Sequence, residues 1–138
     1  MQGFGLADAL LATLLLGAAA LVLGTLAGTL ISRGAQATLL LQADGIAGAY
    51  LAAMAVQAPA STPCNHETGA FNSLACFHGL DEPPHRHNRT PITALDAFRV
   101  QVTLAPGALA ATTRITVRVS HPQTGLVRER TTVLRNGH

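Results

Sequence analysis

The residues most capable of chemistry in this sequence are two short pairs of cysteine and histidine. One residue separates Cys64 from His66, and one residue separates Cys76 from His78. Two thiolates and two imidazoles form a ligand set that holds Zn²⁺ in a tetrahedral site. The spacing differs from the standard zinc patterns, in which paired cysteines are separated by two to four residues. A zinc site is therefore one interpretation of these pairs among three.

A disulfide and two free thiols are the other interpretations. An even number of cysteines in an exported chain favours a disulfide, whereas a cytosolic chain keeps its thiols reduced. A bond between Cys64 and Cys76 would contribute about 3 kcal/mol in the chain-entropy model. His85 and His87 follow as further candidate ligands. In the disulfide interpretation these histidines are exposed to solvent.

Hydrolytic catalysis has less support than metal binding. The sequence has no Gly-x-Ser-x-Gly nucleophile motif, and His66-Glu67 lacks the second histidine of a zinc-protease helix. The adjacent acids Asp81 and Glu82 are predicted to lie in a solvated turn before Pro83-Pro84. We therefore expect neither a catalytic site nor a cofactor.

Charge and aromatic content argue against a nucleic-acid partner. All nine basic residues are arginines, and the net charge is only +2. One tyrosine and four phenylalanines are too dispersed to form a surface on which bases stack. The sequence lacks both the electrostatic footprint and the aromatic platforms of such proteins.

An uncharged segment near the N-terminus is long enough to cross a membrane. Residues 9–32 contain no Asp, Glu, Lys or Arg. As a helix these 24 residues span roughly 36 Å, which exceeds a bilayer core. The segment is longer than the roughly 7–15 apolar residues of a cleavable secretory signal, so it is predicted to be an anchor. Arg33 alone favours a cytoplasmic C-terminal domain, whereas the cysteines favour export.

The residues just before this segment form a recognisable motif. Gly3 is followed by Phe4, and Asp8 is the fifth residue counted from Phe4. This pattern resembles the type IV pilin signature, although Glu is usual at the acidic position. The resemblance implies that a prepilin peptidase cleaves after Gly3, leaving residues 1–3 as a short leader, and methylates Phe4. It further implies that Asp8 pairs with a neighbouring subunit's terminal amine and sets the stagger between subunits.

The Ala/Leu-rich run from Gln36 through Asp44 to Met54 resembles the PilV-like subgroup of minor pilins. Such a subunit is expected to help prime assembly of a type IV pilus, to cap it, or both. Its implied partners are other minor and major pilins, the inner membrane and the prepilin peptidase. The resemblance implies a single-pass inner-membrane protein with a periplasmic C-terminal domain, which then moves to the pilus at the cell surface.

Two alternatives to a minor pilin remain at this point. A minor pseudopilin of a type II secretion system would have the same anchor, and the sequence does not separate the two. The alternative from another class is a single-pass protein with a metal-binding exported domain, whose ligands would come from the cysteine and histidine pairs.

The element pattern predicts an α+β fold, with a long N-terminal transmembrane helix packed on a small antiparallel sheet. Residues 4–32 form the membrane and assembly half of the helix, 33–56 its amphipathic half, and 57–138 the exported loop and sheet. Apolar residues of the amphipathic half recur at helical spacing: Ala43, Ile46, Ala47, Tyr50, Leu51 and Met54.

Three segments of the exported region are predicted strands. Residues 98–104 and 115–119 alternate between apolar and polar side chains, which indicates strands of a sheet with one buried face. Residues 127–134 are also rich in strand formers, but Glu129 and Arg130 leave their inward face undecided. Five prolines make residues 57–97 irregular.

Overall fold

The computed structural model describes residues 5–57, 59–60, 62–65, 71–86 and 90–136. It confirms the predicted α+β architecture of one long N-terminal helix packed on an antiparallel sheet. The elements are helix α1 (Leu6–Ala55), a 3₁₀ turn (Leu74–Phe77), β1 (Asp81–Glu82), a second 3₁₀ turn (Thr93–Leu95), β2 (Arg99–Pro106), β3 (Thr112–His121) and β4 (Leu126–Arg135). The four strands lie in chain order across the sheet.

Contacts divide the chain into two compact units, residues 1–38 and residues 39–138. In the first unit every described residue is exposed. The second unit contains the core, to which the end of α1 contributes one stripe. The predicted stripe is confirmed, because five of its members are buried and Leu51 is half-buried. The buried members are Ala43, Ile46, Ala47, Tyr50 and Met54.

The opposite side of the core is a face of the sheet made largely of valine. Val100 and Val102 of β2 are buried, as are Ile115, Val117 and Val119 of β3. The residues between them point to the other side, as expected for a period of two. Alternation in the sequence thus predicted which side chains of these two strands enter the core.

Strand β4 resolves the inward face that its sequence left undecided. Arg128 pairs with Val119, and Arg130 pairs with Val117. Because paired residues of neighbouring strands share a face, both arginines lie on the side of the helix. The polar side chains on that face therefore mark where the core ends, rather than an error in strand register.

The prediction for Asp81 and Glu82 is wrong. They form strand β1, in which Asp81 pairs with Gln101 and Glu82 with Val100. Two residues are too few to show alternation, and the prolines that follow suggested a turn instead. Both acids are thus fixed at one edge of the sheet.

Replacing Met54 with Ala should lower the free energy of unfolding by about 2–5 kcal/mol, because a fully buried side chain would leave a cavity. Leu41→Ala on the same helix is the control, since Leu41 is 75% exposed, and should change stability by less than about 0.5 kcal/mol. Urea unfolding in detergent can be followed by the fluorescence of Tyr50, the only tyrosine in a chain without tryptophan. Equal losses in both variants would contradict this placement of the core.

Candidate functional site

The first half of α1 presents an apolar surface without a partner among the described residues. Its large apolar side chains are between 54% and 83% exposed. They are Leu6, Leu10, Leu11, Leu14, Leu15, Leu16, Leu21, Val22, Leu23, Leu26, Leu30 and Ile31. Contiguous apolar surface of this extent marks an interaction with a membrane or with other proteins. The helix is long and apolar enough to cross a membrane.

The hydroxyl groups of this half are satisfied inside the helix. Thr13, Thr25, Thr29 and Ser32 each donate to the backbone carbonyl three residues earlier, over 2.8–3.1 Å. In an apolar environment an unpaired hydroxyl costs several kcal/mol, on the order of 2–7 kcal/mol. These bonds allow the helix to be buried in lipid or among other helices without that cost.

Asp8 lies at the beginning of α1, where its charge is favourable. Its Oδ2 accepts a hydrogen bond from the backbone N–H of Gly5 over 3.3 Å. In return, the N–H of Asp8 donates to the carbonyl of Gly5 over 3.0 Å. The first of these bonds is one of the two in a capping box, because the side chain of the third helical residue accepts from the backbone N–H of the N-cap residue. The helix dipole also favours a carboxylate here. Gly3 and Phe4, the other predicted processing residues, lie outside the described residues.

The two cysteines form the disulfide Cys64–Cys76, as one of the three interpretations expected. Sulfurs that are bonded to each other are not available as thiolate ligands, so the zinc site built on both cysteines does not fit this structure. His66 and His87 lie outside the described residues. Among the residues that the structure describes, no group of three or more His, Cys, Asp or Glu could hold a metal ion.

The two described candidate ligands hold parts of the unit of residues 39–138 together. His78 accepts a hydrogen bond at Nδ1 from the N–H of Leu104 over 3.2 Å, at the edge of β2. His85 lies with Nδ1 2.6 Å from the carbonyl of Pro83, and its backbone N–H donates to the Tyr50 hydroxyl over 3.0 Å. The structure therefore does not bring His78 and His85 to a common site, and each contributes to the packing of a loop.

Asp81 and Arg99 form an ion pair on the solvent side of the sheet. The hydrogen bond from Arg99 lowers the pKa of the Asp81 carboxyl. A carboxyl whose pKa is lowered by folding stabilises the folded state above its unfolded pKa of about 4. The contribution is lost as the pH falls through the lower folded value. Both side chains are about half exposed, so solvent keeps it small.

A second ionic contact joins α1 to β4 and was missed from the sequence. Asp44 Oδ1 lies 3.2 Å from Arg128 Nε and 3.1 Å from Arg130 Nε. Gly48, one helical turn beyond Asp44, makes room for this contact. A Cβ added to Gly48 would lie 3.2 Å from Nη1 of Arg130. The signal available in the sequence was an acid and a glycine four residues apart in the amphipathic half of the helix.

A groove of about 550 Å³ lies beside the helix within residues 39–138. Its helical wall includes the small residues Gly45, Ala49 and Ala53, and its opposite wall includes Phe77 and Ile92. Most of this lining is apolar and favours the burial of apolar groups, and three ionisable side chains also line the groove: Glu82, His85 and Arg86.

No protein-family model, curated protein or solved structure matches the chain. Its function is therefore inferred from its own residues: the apolar helix, the position of Asp8 and the closed loop.

Comparing Gly48→Ala with Gly45→Ala tests whether Arg130 lies over the helix. Glycine to alanine inside a helix stabilises by up to about 1 kcal/mol, and we expect that gain at Gly45, where an added Cβ meets nothing within 4 Å. At Gly48 the gain should be smaller, because Arg130 must move. Urea unfolding followed by Tyr50 fluorescence measures both.

The control is the same pair of substitutions made in an Arg130→Ala chain, where the gains at Gly45 and Gly48 should become equal. If the two gains were already equal in the chain that keeps Arg130, the guanidinium would not occupy this position.

Proposed function

We propose that this chain is a minor pilin, a non-enzymatic subunit that helps to prime assembly of a type IV pilus or to cap it. The observation that carries the proposal is a long, exposed, apolar helix whose only charge before Arg33 is Asp8 at its beginning. The same helix continues into the core of a small antiparallel sheet. A soluble binding domain has no need of this combination.

The exposed half of α1 has two environments in this proposal. Before assembly, residues 6–31 lie in the inner membrane, where lipid covers their apolar side chains. After assembly, the helices of neighbouring subunits cover the same side chains. Both environments remove apolar surface from water, so exchanging one for the other costs little free energy. The internally bonded hydroxyls of Thr13, Thr25, Thr29 and Ser32 make both possible.

Asp8 supplies the one strong directional interaction of that packing. A carboxylate buried among helices without a counter-charge is unfavourable. In the proposal the methylated amine of Phe4 in a neighbouring subunit provides the counter-charge, after cleavage behind Gly3. Two apolar helices could slide along each other at little cost, whereas an ion pair between them fixes one axial position.

The disulfide supports export of residues 57–138 to an oxidising compartment, because cytosolic thiols are kept reduced. In the proposal this compartment is the periplasm, and the exported unit then contacts other minor and major pilins. Deletion of the gene distinguishes a pilus subunit from a pseudopilin. Loss of pili and twitching supports the proposal, whereas loss of enzyme secretion with normal pili supports a type II secretion system.

Mass analysis of the protein recovered from cell membranes without reductant tests the processing. We expect a chain that begins at a methylated Phe4 and is two hydrogens lighter than its reduced form. A chain that retains Gly3 and carries free thiols, in a host with active prepilin processing, would contradict both the cleavage and the disulfide.

Substitution of Asp8 tests the role of its charge in assembly. Asp8→Asn keeps the size of the side chain but removes the charge that pairs with the amine. We expect cleavage to continue and the amount in sheared surface filaments to fall at least about tenfold, which corresponds to about 1.4 kcal/mol. Asp8→Glu, which keeps the charge, is the control and should assemble. Normal assembly of Asp8→Asn would show that the carboxylate serves only as a helix cap.

A further inference from the structure

Strand β4 forms an open edge of the sheet. It is the last strand in the order and is ten residues long, and no strand among the described residues pairs with its outer side. The opposite edge, β1, has two residues and is followed by Pro83 and Pro84. Proteins usually keep exposed edge strands short or cover them, because free backbone groups attract other strands. The length of β4 therefore requires an explanation.

The hydrogen bonds at the ends of the sheet show which backbone groups of β4 point outward. Asn136 donates its N–H to the carbonyl of Ala111 over 2.6 Å and so extends the ladder between β3 and β4. In antiparallel strands, pairs that exchange hydrogen bonds alternate with pairs that do not. Counting back from Asn136, the even-numbered residues of β4 therefore bond to β3.

The other side of the sheet leads independently to the same result. The N–H of Val102 donates to the carbonyl of Leu80 over 3.0 Å, so the even-numbered residues of β2 face β1. The odd-numbered residues of β2 therefore bond to the even-numbered residues of β3, which leaves the odd-numbered residues of β3 to bond to β4. Their partners in β4 are again the even-numbered residues. The outward N–H and C=O groups thus belong to the odd-numbered residues, which are Val127, Glu129, Thr131, Val133 and Arg135.

Positive charge flanks this edge on both faces of the sheet. On the outer face, Arg114 and Arg118 of β3 lie beside β4, which contributes Arg135 and one acid, Glu129, opposite Arg118. On the inner face, Arg128 and Arg130 share the single carboxylate of Asp44. Five guanidinium groups therefore surround the edge with two carboxylates between them.

This charge identifies the kind of strand that fits. Like charges on adjacent strands destabilise a sheet, and opposite charges stabilise it. A second copy of β4 would bring two arginine-rich faces together, so a copy of this chain is a poor partner. A strand with carboxylates on its side chains would be favoured instead. Val127 and Val133, which are 45% and 53% exposed, add apolar contact for such a strand.

We propose that the open edge of β4 binds an extended, acidic segment of another polypeptide by β-strand addition. The outward groups of residues 127–135 supply the backbone hydrogen bonds, and the surrounding arginines select carboxylates at alternating positions. The inference stands on the sheet alone and holds whether or not the chain is a pilin. The competing explanation is that the arginines only protect the edge from aggregation.

The test uses the full chain in detergent and two end-blocked ten-residue peptides. In one peptide every second residue is Glu, and the residues between are Thr or Val. The other peptide has Lys at each of the Glu positions. Fluorescence anisotropy should show at least about tenfold tighter binding of the Glu peptide, with affinity that falls as salt increases. Amide hydrogen exchange should slow at Val127, Glu129, Thr131 and Val133 when the Glu peptide is added.

A matched pair of variants tests the backbone contribution. Thr131→Pro removes an outward N–H that the ladder does not use, so the sheet should remain folded by Tyr50 fluorescence while peptide binding is lost. Thr131→Val keeps the N–H and should bind the Glu peptide as the unmodified chain does. Since proline could still disturb the strand, the exchange measurement on the unmodified chain stands as independent evidence.

Three results would overturn the proposal. The first is equal binding, or no binding, of the Glu and Lys peptides, which would leave the arginines with a protective role. The second is binding of the Glu peptide without slower exchange at the outward amides. The third is dimerisation of the chain through those amides in the absence of peptide, which would make a second copy the occupant. None of these results bears on the processing of Phe4 or on Asp8.

Discussion

Burial of one stripe of α1 against the valine face of β2 and β3 is the interaction on which the fold of residues 39–138 depends. Ala43, Ala47 and Met54 are completely buried on the helix, and Val100 and Val117 are completely buried on the sheet. Each large side chain of this kind contributes about 1.5–3 kcal/mol when it leaves water. The stripe holds the end of α1 against the sheet. The 3₁₀ turn of Leu74–Phe77 then packs against the core that the helix and the sheet form.

Polar contacts around this core fix the positions of β4 and of the backbone at His85, and they contribute little to the free energy of unfolding. The Tyr50 hydroxyl holds the backbone of His85, and Asp44 holds two arginines of β4. The carboxylate and both guanidinium groups of the latter contact are partly exposed, and such pairs contribute about 1 kcal/mol or less. Their directional geometry nevertheless leaves β4 with one face on the helix and one edge free.

The spacing of apolar residues predicted the buried faces of α1, β2 and β3. The stripe from Ala43 to Met54 and the alternation of β2 and β3 follow from spacings of three, four and two. The face of β4 could not be predicted in this way, because Arg128 and Arg130 occupy positions that a pattern assigns to apolar residues. Their counter-charge, Asp44, lies more than 80 residues earlier in the chain, so no local window contains both.

For the candidate site, residue type predicted that Asp8 lies in the first turn of the helix, but it did not predict the state of the cysteines. Asp8 lies at the start of the helix, as an acid preceding a long uncharged run should. The choice among disulfide, zinc and free thiols could not be made from the cysteines, because all three use the same residues. It required the fold, in which the two Cα atoms lie 5.0 Å apart and the two sulfurs are bonded to each other. Strand β1 was missed because two residues contain no period.

The Cys64–Cys76 bond also has a consequence for chain length. The disulfide closes a ring of residues 64–76. The ends of this ring are held by the hydrogen bond from the N–H of Asn65 to the side chain of Asn72 and by the edge-to-face contact of Phe71 with Phe77. With the ends of the ring fixed, lengthening its interior adds only loop-closure entropy, about 0.6 kcal/mol for each doubling. Insertions within the ring are therefore inexpensive, whereas the same insertions between β2 and β3 would have to preserve a strand register. The ring is a position at which the unit of residues 39–138 can gain new surface while its core stays unchanged.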